Sequence, residues 1–353
     1  MEGVEVLFER RGAAGLITLN RPHALNAFGI AAVRAMRPQL AEWANDPSIT
    51  RVIIRASGER AFAAGGDIRA VYDLHQAGRT EEAIDFWREE YQLNAEIRRY
   101  PKPYVSLVEG ICMGGGVGLS LHGKYRVAGD KYLFAMPEVS IGFFPDVGAT
   151  HALPRLSGRL GAFLALTGAR LGPGEGAAFG LATHRVPSAQ LPSLLEALCL
   201  GKDVARTLAA FSVDAEANKL APRVPLIDRA FAGATVERVL QNLDKEAAGQ
   251  GEDAAFAKTQ AAAIRTKSPT SLKIALEQMR IGATLDFAGA MRTEFRIVNR
   301  VARGHDFYEG VRAAIIDKDN QPRWNPASLA DVSGAQIAAY FAPLAPPMQE
   351  LPL

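Results

Sequence analysis

The chain has 353 residues, 48% of them hydrophobic, so it can bury a large core as one big domain or two moderate ones. A net charge of +2 without a dense Lys/Arg run argues against a nucleic-acid partner, and no apolar run is long enough to span a bilayer. Two cysteines are too few for a disulfide framework and the start, MEGVEVLFERRG, lacks a signal-peptide pattern, so the composition predicts a cytoplasmic protein.

The first half of the chain alternates strand and helix patterns. Apolar residues at helical spacing predict a helix over 30–43. Short runs rich in β-branched or aromatic residues predict strands at 16–19, 51–55, 104–108 and 132–134. This alternation predicts an α/β architecture.

The second half has a different texture. From about Leu153 the chain is rich in Ala and Leu and carries few strand signals, which predicts mostly helix. The polar span 244–253 is interpreted as a loop or a helix end, and the Pro-rich tail 343–353 is expected to be frayed.

Two glycine-containing loops follow predicted strands, AFAAGGDIR at 61–69 and EGICMGGGVGLS at 109–120. They do not complete a dinucleotide or phosphate-loop motif, because Leu119 stands where the third glycine of the former would be. One backbone N–H from each loop could instead bind a single oxygen, as in an oxyanion hole. The alternative is close packing of helix on strand without a ligand.

Two acids, Glu138 and Asp146, stand among apolar and small residues in AMPEVSIGFFPDVGATHA, residues 135–152. A buried carboxylate is unfavourable unless it is paired, hydrogen-bonded or protonated, and such groups are frequent acid, base or nucleophile candidates. The alternative is a pair of loop carboxylates that cap helix ends. The six histidines show no metal-ligand spacing, so no metal site is predicted.

The motifs in this order resemble the crotonase (enoyl-CoA hydratase/isomerase) superfamily and, within it, the group of 3-hydroxyisobutyryl-CoA hydrolases. The residues that carry the likeness are AFAAGGDIR, EGICMGGGVGLS, AMPEVSIGFFPDVGAT, RGHDF at 303–307 and IDKD at 316–319. The resemblance implies a spiral core of repeated ββα units over residues 1–200. It also implies a mainly helical C-terminal region over 201–353, often a trimerisation element. The expected state is therefore a homo-oligomer, a trimer or a multiple of it, with a monomer as the alternative.

The resemblance further implies an acyl-CoA substrate whose thioester oxygen lies between the N–H groups of Gly66 and Gly115. Glu90 is similar to a substrate-contacting glutamate of the hydrolase group, the alternative being a solvated carboxylate on a helix. No cofactor is implied, because CoA is part of the substrate.

Two stretches of backbone are expected to contact the CoA moiety. By the same resemblance, Ala64, Asp67 and Ile68 line its adenine end, and the turn from Arg21 to Leu25 flanks the pantetheine.

Hydrolysis is favoured over hydration by one missing acid. Hydratases of the superfamily use two glutamates, and Gly118 occupies the place of the first, whereas Glu138 keeps the second. The hydrolase group pairs that glutamate with an aspartate eight residues on, here Asp146. Glu138 is expected to act as nucleophile or as general base, and the implied pathway is valine catabolism.

Two other functions stay open. The first is a hydratase or isomerase of the same superfamily, and the second is a non-catalytic CoA-binding subunit.

Overall fold

The computed structural model describes residues 4–214 and 217–353. Within these residues, no helix is both long and apolar enough to cross a membrane. The strands are β1 (Val6–Arg11), β2 (Ala14–Leu19), β3 (Arg51–Ala56), β4 (Ala61–Ala63), β5 (Tyr104–Val108), β6 (Ile111–Met113), β7 (Tyr125–Ala128), β8 (Leu133–Ala135) and β9 (His184–Arg185).

Helices fill most of the remaining described chain, and short 3-10 helices join several of them. The α-helices are α1 (Ile30–Asn45), α2 (Ile68–Gln76), α3 (Thr80–Arg98), α4 (Gly115–Leu121), α5 (Ala149–Ala152), α6 (Leu160–Thr167), α7 (Pro173–Ala178), α8 (Leu191–Cys199), α9 (Val204–Phe211), α10 (Val224–Ala230), α11 (Val236–Ala247), α12 (Gly251–Arg265), α13 (Pro269–Gly282), α14 (Phe287–Val301), α15 (Asp306–Val311) and α16 (Gly334–Phe341).

The chain divides into two compact units, each built from three separate stretches. Unit 1 comprises Met1–Asp67, Glu89–Ala135 and Arg170–Lys219. Unit 2 comprises Ile68–Arg88, Met136–Ala169 and Leu220–Leu353.

Unit 1 contains both sheets of the described chain. The larger has the order β1-β2-β3-β5-β7-β9 and is parallel except for β1 against β2, and the smaller has the parallel order β4-β6-β8. Consecutive strands therefore alternate between the sheets: β3, β5 and β7 enter the larger one, and β4, β6 and β8 enter the smaller one. This is the repeated ββ arrangement that the resemblance implies.

The larger sheet is covered by apolar packing, which explains its continuous hydrophobic strands. Val52, Ile53 and Ile54 of β3 are fully buried. Ile53 belongs to one core cluster with Val105 of β5 and with buried leucines of α8.

Unit 2 is helical in the part of it that the structure describes. Every residue of α6 is buried, and α6 packs against α13. Apolar residues recur at helical spacing on one face of α14, where Ala290, Met291 and Val298 are fully buried.

Most predicted elements are confirmed. The predicted strands at 16–19, 51–55 and 104–108 and the helix at 30–43 lie within β2, β3, β5 and α1, and the mostly helical second half is also confirmed. The fourth predicted strand is displaced by one residue to β8, and the span 244–253 covers the end of α11 and the start of α12.

The prediction of a frayed tail is wrong at its end. Leu351 is only 1% exposed, and Glu350 accepts hydrogen bonds from Arg296 of α14 and from the Leu344 N–H. Proline content alone predicted fraying, whereas one buried leucine and one ion pair hold the segment. The predicted boundary at residue 200 stays a prediction.

Candidate active site

The two glycine loops leave the same edge of the smaller sheet in unit 1. β4 and β6 are parallel neighbours, with Ala61 opposite Ile111 and Ala63 opposite Cys112, so their carboxyl ends point the same way. Gly65 has a φ of +120° and Gly114 a φ of +50° with a ψ of −128°, conformations that favour glycine. Both loops can therefore turn sharply where the strands end.

Gly66 and Gly115 come together across these loops. A Cβ added to Gly115 would lie 3.2 Å from the Gly66 nitrogen, 2.5 Å from Glu90 Oε1 and 2.8 Å from Phe28 Cζ. No hydrogen bond from either N–H to another described residue is present. Two adjacent donors that have no partner among the described residues are what an oxyanion hole requires.

Close packing, the alternative for these glycines, is also observed. A Cβ added to Gly116 would lie 2.4 Å from the carbonyl oxygen of Ala63. Packing therefore explains Gly116, whereas the available N–H groups belong to Gly66 and Gly115.

Glu90 lies beside the second glycine loop, on α3. Its side chain is buried, with 2% exposed, so the alternative of a solvated helix carboxylate is wrong. Its Oε1 is the atom that a side chain at Gly115 would strike first. The structure thus brings Glu90, Gly66 and Gly115 together in unit 1.

The residues predicted to contact CoA are partly engaged within the protein. The Ala64 N–H donates to the Leu25 carbonyl at 3.0 Å, and the Asp67 N–H donates to the Phe28 carbonyl at 2.9 Å. Asp67 also pairs with Arg21 at 2.9 Å. These two N–H groups are therefore unavailable to a ligand, which leaves the other atoms of Leu25, Ala64 and Asp67.

Ile68, the remaining residue of that set, is the first residue of α2 and belongs to unit 2.

Glu138 and Asp146 are both buried in unit 2, with 6% and 4% exposed. Glu138 begins a 3-10 helix, Glu138–Ile141, directly after Pro137, and its Oε2 has no hydrogen-bond partner among the described residues. Burial raises the pKa of Glu138 well above its ordinary value, and the charges of Asp146 and Glu294 raise it further. A buried carboxyl group with a raised pKa in this position is a candidate acid, base or nucleophile.

Glu294 of α14 is a third acid in this part of unit 2, and the sequence analysis missed it. Its side chain is fully buried and accepts hydrogen bonds from the N–H groups of Gly148 and Thr150, both at 2.8 Å. Burial, with a contribution from the charge of Asp146, raises its pKa to about 8 although the two donors oppose the shift. Glu294 thus caps the start of α5. Helix capping was the alternative role for Glu138 and Asp146, and here a distant acid performs it.

A signal for Glu294 does exist in the sequence. The residue stands four positions after Ala290, three after Met291 and four before Val298, so it lies on the apolar face of α14. A charge at core spacing is rare without a reason.

An aromatic cluster lies next to the 3-10 helix of Glu138. Phe143 stacks on Trp87 with ring centroids 5.4 Å apart and on Phe144 at 4.5 Å, and Phe307 lies 5.0 Å away. This cluster forms an apolar wall within unit 2.

Other titratable groups have structural partners. Asp306, from the RGHDF motif, accepts hydrogen bonds from the Ser268 hydroxyl at 2.6 Å and from the Asn325 N–H at 2.7 Å. Among residues 4–214 and 217–353, no group of three or more His, Cys, Asp or Glu side chains is arranged to hold a metal ion.

Comparisons with known proteins converge on one family. A family model described as enoyl-CoA hydratase/isomerase matches residues 14–341. A curated protein of Danio rerio named "3-hydroxyisobutyryl-CoA hydrolase, mitochondrial" is 47% identical over 352 residues, covering 97% of this chain and 90% of the relative. The Homo sapiens protein of the same name is 43% identical, covering 96% and 89%.

Two solved structures are similar over nearly their whole length. One, described as a carnitinyl-CoA dehydratase from Mycobacterium thermoresistibile, is 41% identical with a TM-score of 0.92, covering 99% of this chain and 98% of that one. The other, described as an enoyl-CoA hydratase from Rhodobacter sphaeroides, is 41% identical with a TM-score of 0.91, covering 99% and 100%. The names of these relatives therefore divide between thioester hydrolysis and chemistry at the acyl chain.

Proposed function

Because the chain belongs to the enoyl-CoA hydratase/isomerase (crotonase) family, we propose that it hydrolyses an acyl-CoA thioester, converting 3-hydroxyisobutyryl-CoA and water to 3-hydroxyisobutyrate and CoA. The observation that carries the proposal is the pair of buried acids Glu138 and Asp146, combined with Gly118 at the place of the other hydratase glutamate. Full-length relatives that carry the hydrolase name support it.

The first step is polarisation of the thioester carbonyl. The N–H groups of Gly66 and Gly115 donate to its oxygen and stabilise the negative charge that develops there, a contribution of about 3 kcal/mol per donor in comparable sites.

The second step uses Glu138 in its ionised form. Its carboxylate attacks the carbonyl carbon to give a mixed anhydride that water then cleaves, or it takes a proton from water that attacks directly. In both routes the C–S bond breaks, CoA leaves as a thiolate, and one water is consumed. Asp146 orients that water or binds the 3-hydroxyl group, and Glu90 contacts the substrate near Gly115.

The experiment that tests the proposal follows two signals with two substrates. We expect free thiol to be released from 3-hydroxyisobutyryl-CoA, with little loss of enone absorbance from crotonyl-CoA. Glu138→Gln should lower thiol release by at least about 10³-fold, because a neutral amide neither attacks nor accepts the proton. Glu252→Gln is the matched control, since the side chain of Glu252 is 89% exposed.

A hydratase is the second candidate, favoured by the description of the Rhodobacter sphaeroides structure. Enone loss from crotonyl-CoA without thiol release would establish it and overturn the hydrolase. A folded Glu138→Gln variant that cleaves the thioester at the original rate would overturn the assignment of Glu138. A CoA-binding subunit without catalysis would bind both substrates and change neither signal.

The proposal needs no cofactor, because CoA enters as part of the substrate. A cytoplasmic location stays a prediction, since the curated relatives are named mitochondrial. Light scattering on the purified protein measures its molar mass and so distinguishes the expected trimer from a monomer.

A further inference from the structure

Two buried side chains hold the turn that carries Asp146. Glu294 of α14 binds the N–H groups of Gly148 and Thr150, and the amide nitrogen of Gln278, on α13, donates to the Pro145 carbonyl at 2.8 Å and contacts the Thr150 hydroxyl at 2.7 Å. Both side chains are fully buried. The turn is therefore fixed on each side of Asp146 by helices more than 120 residues further along the chain.

The turn after Asp146 has an unfavourable backbone conformation. Val147 has a φ of +50° and Gly148 a φ of +91°, so two consecutive residues after Asp146 are left-handed. For a β-branched residue this conformation is an outlier and costs about 1–3 kcal/mol. Contacts from outside the turn are required to maintain it.

Glu294 is an unfavourable choice for this task if stability were its only purpose. The charge of Asp146 raises the pKa of Glu294, and the charge of Glu294 raises the pKa of Glu138, whereas a neutral acceptor would avoid that repulsion. What a carboxyl group adds is two acceptor oxygens in one rigid plane, so that a single side chain binds the N–H groups of Gly148 and Thr150 at once. The placement thus favours precise orientation of the turn.

We propose that Glu294 is a positioning residue for thioester cleavage, holding the turn Pro145–Thr150 so that the Asp146 carboxylate stays in its reactive orientation. This inference rests on the proposed function, because it assigns Glu294 a role only through Asp146.

The direct test is Glu294→Gln. The amide keeps one acceptor, but its NH2 group faces the second backbone N–H, so one of the two hydrogen bonds is lost. Small displacements of a reacting group reduce rates by about 10²-fold. We expect kcat for thiol release to fall about 100-fold while KM changes less than threefold, because the residues predicted to contact CoA are not altered.

Glu175→Gln is the matched control. Glu175 of α7 is also buried, at 9% exposed, and its carboxylate also accepts two backbone N–H groups, from Gly172 at 3.0 Å and from Lys219 at 2.8 Å. The chemical change is the same at a place remote in sequence from Asp146. We expect Glu175→Gln to lower the melting temperature about as much as Glu294→Gln does, but to keep kcat within twofold of that of the unmodified protein.

A double-mutant cycle separates positioning from a general structural effect. In the Asp146→Asn background, Glu294→Gln should lower kcat by less than threefold, because the group that it positions is already inactive. If the two losses multiply, or if Glu294→Gln loses no more activity than Glu175→Gln, the inference is overturned.

Gln278→Met provides a second variant should Glu294→Gln fail to fold. It removes the bonds to Pro145 and Thr150 without placing a new charge, so we expect kcat to fall about tenfold and again no further loss in Asp146→Asn. Retention of full kcat by folded Gln278→Met would count against the proposal that contacts from α13 and α14 hold the turn of Asp146 for catalysis. Absence of thiol release by the unmodified protein overturns the proposed function and the inference together, whereas full-rate release by folded Glu294→Gln overturns the inference alone.

Discussion

Three buried acids, Glu138, Asp146 and Glu294, occupy one part of unit 2, and like charge makes two of them harder to ionise. The negative charge of Asp146 contributes to raising the pKa of both Glu138 and Glu294. With a pKa of about 8, Glu294 holds a proton at neutral pH, where an isolated surface glutamate is almost fully ionised.

This coupling predicts how activity depends on pH. Glu138 must be ionised both to attack and to accept a proton, and burial together with Asp146 raises its pKa. We therefore expect kcat/KM for thiol release to fall tenfold per pH unit below the pKa of Glu138. This fall should begin at a pH well above the pKa of about 4.3 of a free glutamate.

Asp146→Asn tests the cause of the shift. Removing the like charge lowers the pKa of Glu138, so the acid limb of the residual activity, scaled to its own plateau, should move to lower pH. If kcat/KM of the unmodified protein stays constant down to pH 5, then the reaction does not depend on ionisation of a Glu138 carboxyl group with a raised pKa.

At the scale of elements, two three-residue strands determine where the glycine loops lie. β4 and β6 are parallel neighbours; β6 ends directly before Gly114, and β4 ends one residue short of Gly65. Short strands suffice here, since their task is to aim the two loops in the same direction.

Gly115→Ala tests the loop that follows β6. The added methyl group would lie 2.5 Å from Glu90 Oε1 and 2.8 Å from Phe28 Cζ, so the N–H of residue 115 must move. We expect kcat to fall about 10²–10³-fold, as for loss of an oxyanion donor, and stability to fall by about 1–3 kcal/mol.

The control for that variant is Gly334→Ala at the start of α16, where a Cβ meets no atom within 4 Å. Thiol release should be unchanged there, and thermal unfolding should report its stability alongside that of Gly115→Ala. A Gly115→Ala protein with full kcat would exclude the Gly115 N–H as a donor to the reacting oxygen.

Local patterns were sufficient for the elements with a strong period. β2 and β5 are buried along their whole length and β3 over its first four residues, and their predicted positions are confirmed. β4 and β6 were missed because three residues carry no recognisable period, although the glycine loops that follow them were identified by composition.

The role of Glu294 could not be predicted for a different reason. Its partner Gly148 is 146 residues away, and no local propensity encodes a contact of that range. The sequence marks Glu294 only as a charge on an apolar helix face, which says that it needs a partner but not which one. Glu138 and Asp146, by contrast, lie eight residues apart and could be paired from the motif.

At the scale of the whole molecule, the chain passes repeatedly between its two units. Unit 2 takes residues 68–88 and 136–169 from the first half of the chain and residues 220–353 from the second. The acids Glu138 and Asp146 lie in the middle stretch, whereas Glu294 and Gln278 lie in the last. The turn of Asp146 is consequently completed only when distant parts of the sequence have folded together.

This interleaving predicts the behaviour of fragments cut at residue 200. A fragment of residues 201–353 lacks α5 and α6, and α6 is buried along its whole length against neighbours that include α13. Without α6, apolar residues of α13 are exposed to water, and the helices lose the packing that provides most helical stability. We expect the isolated fragment to show helical circular dichroism without a cooperative thermal transition, whereas the full chain unfolds cooperatively. A sharp transition in the fragment would instead establish residues 201–353 as a domain that folds on its own. In that case the hydrogen bonds of Glu294 and Gln278 to the Asp146 turn would join two independently folded parts.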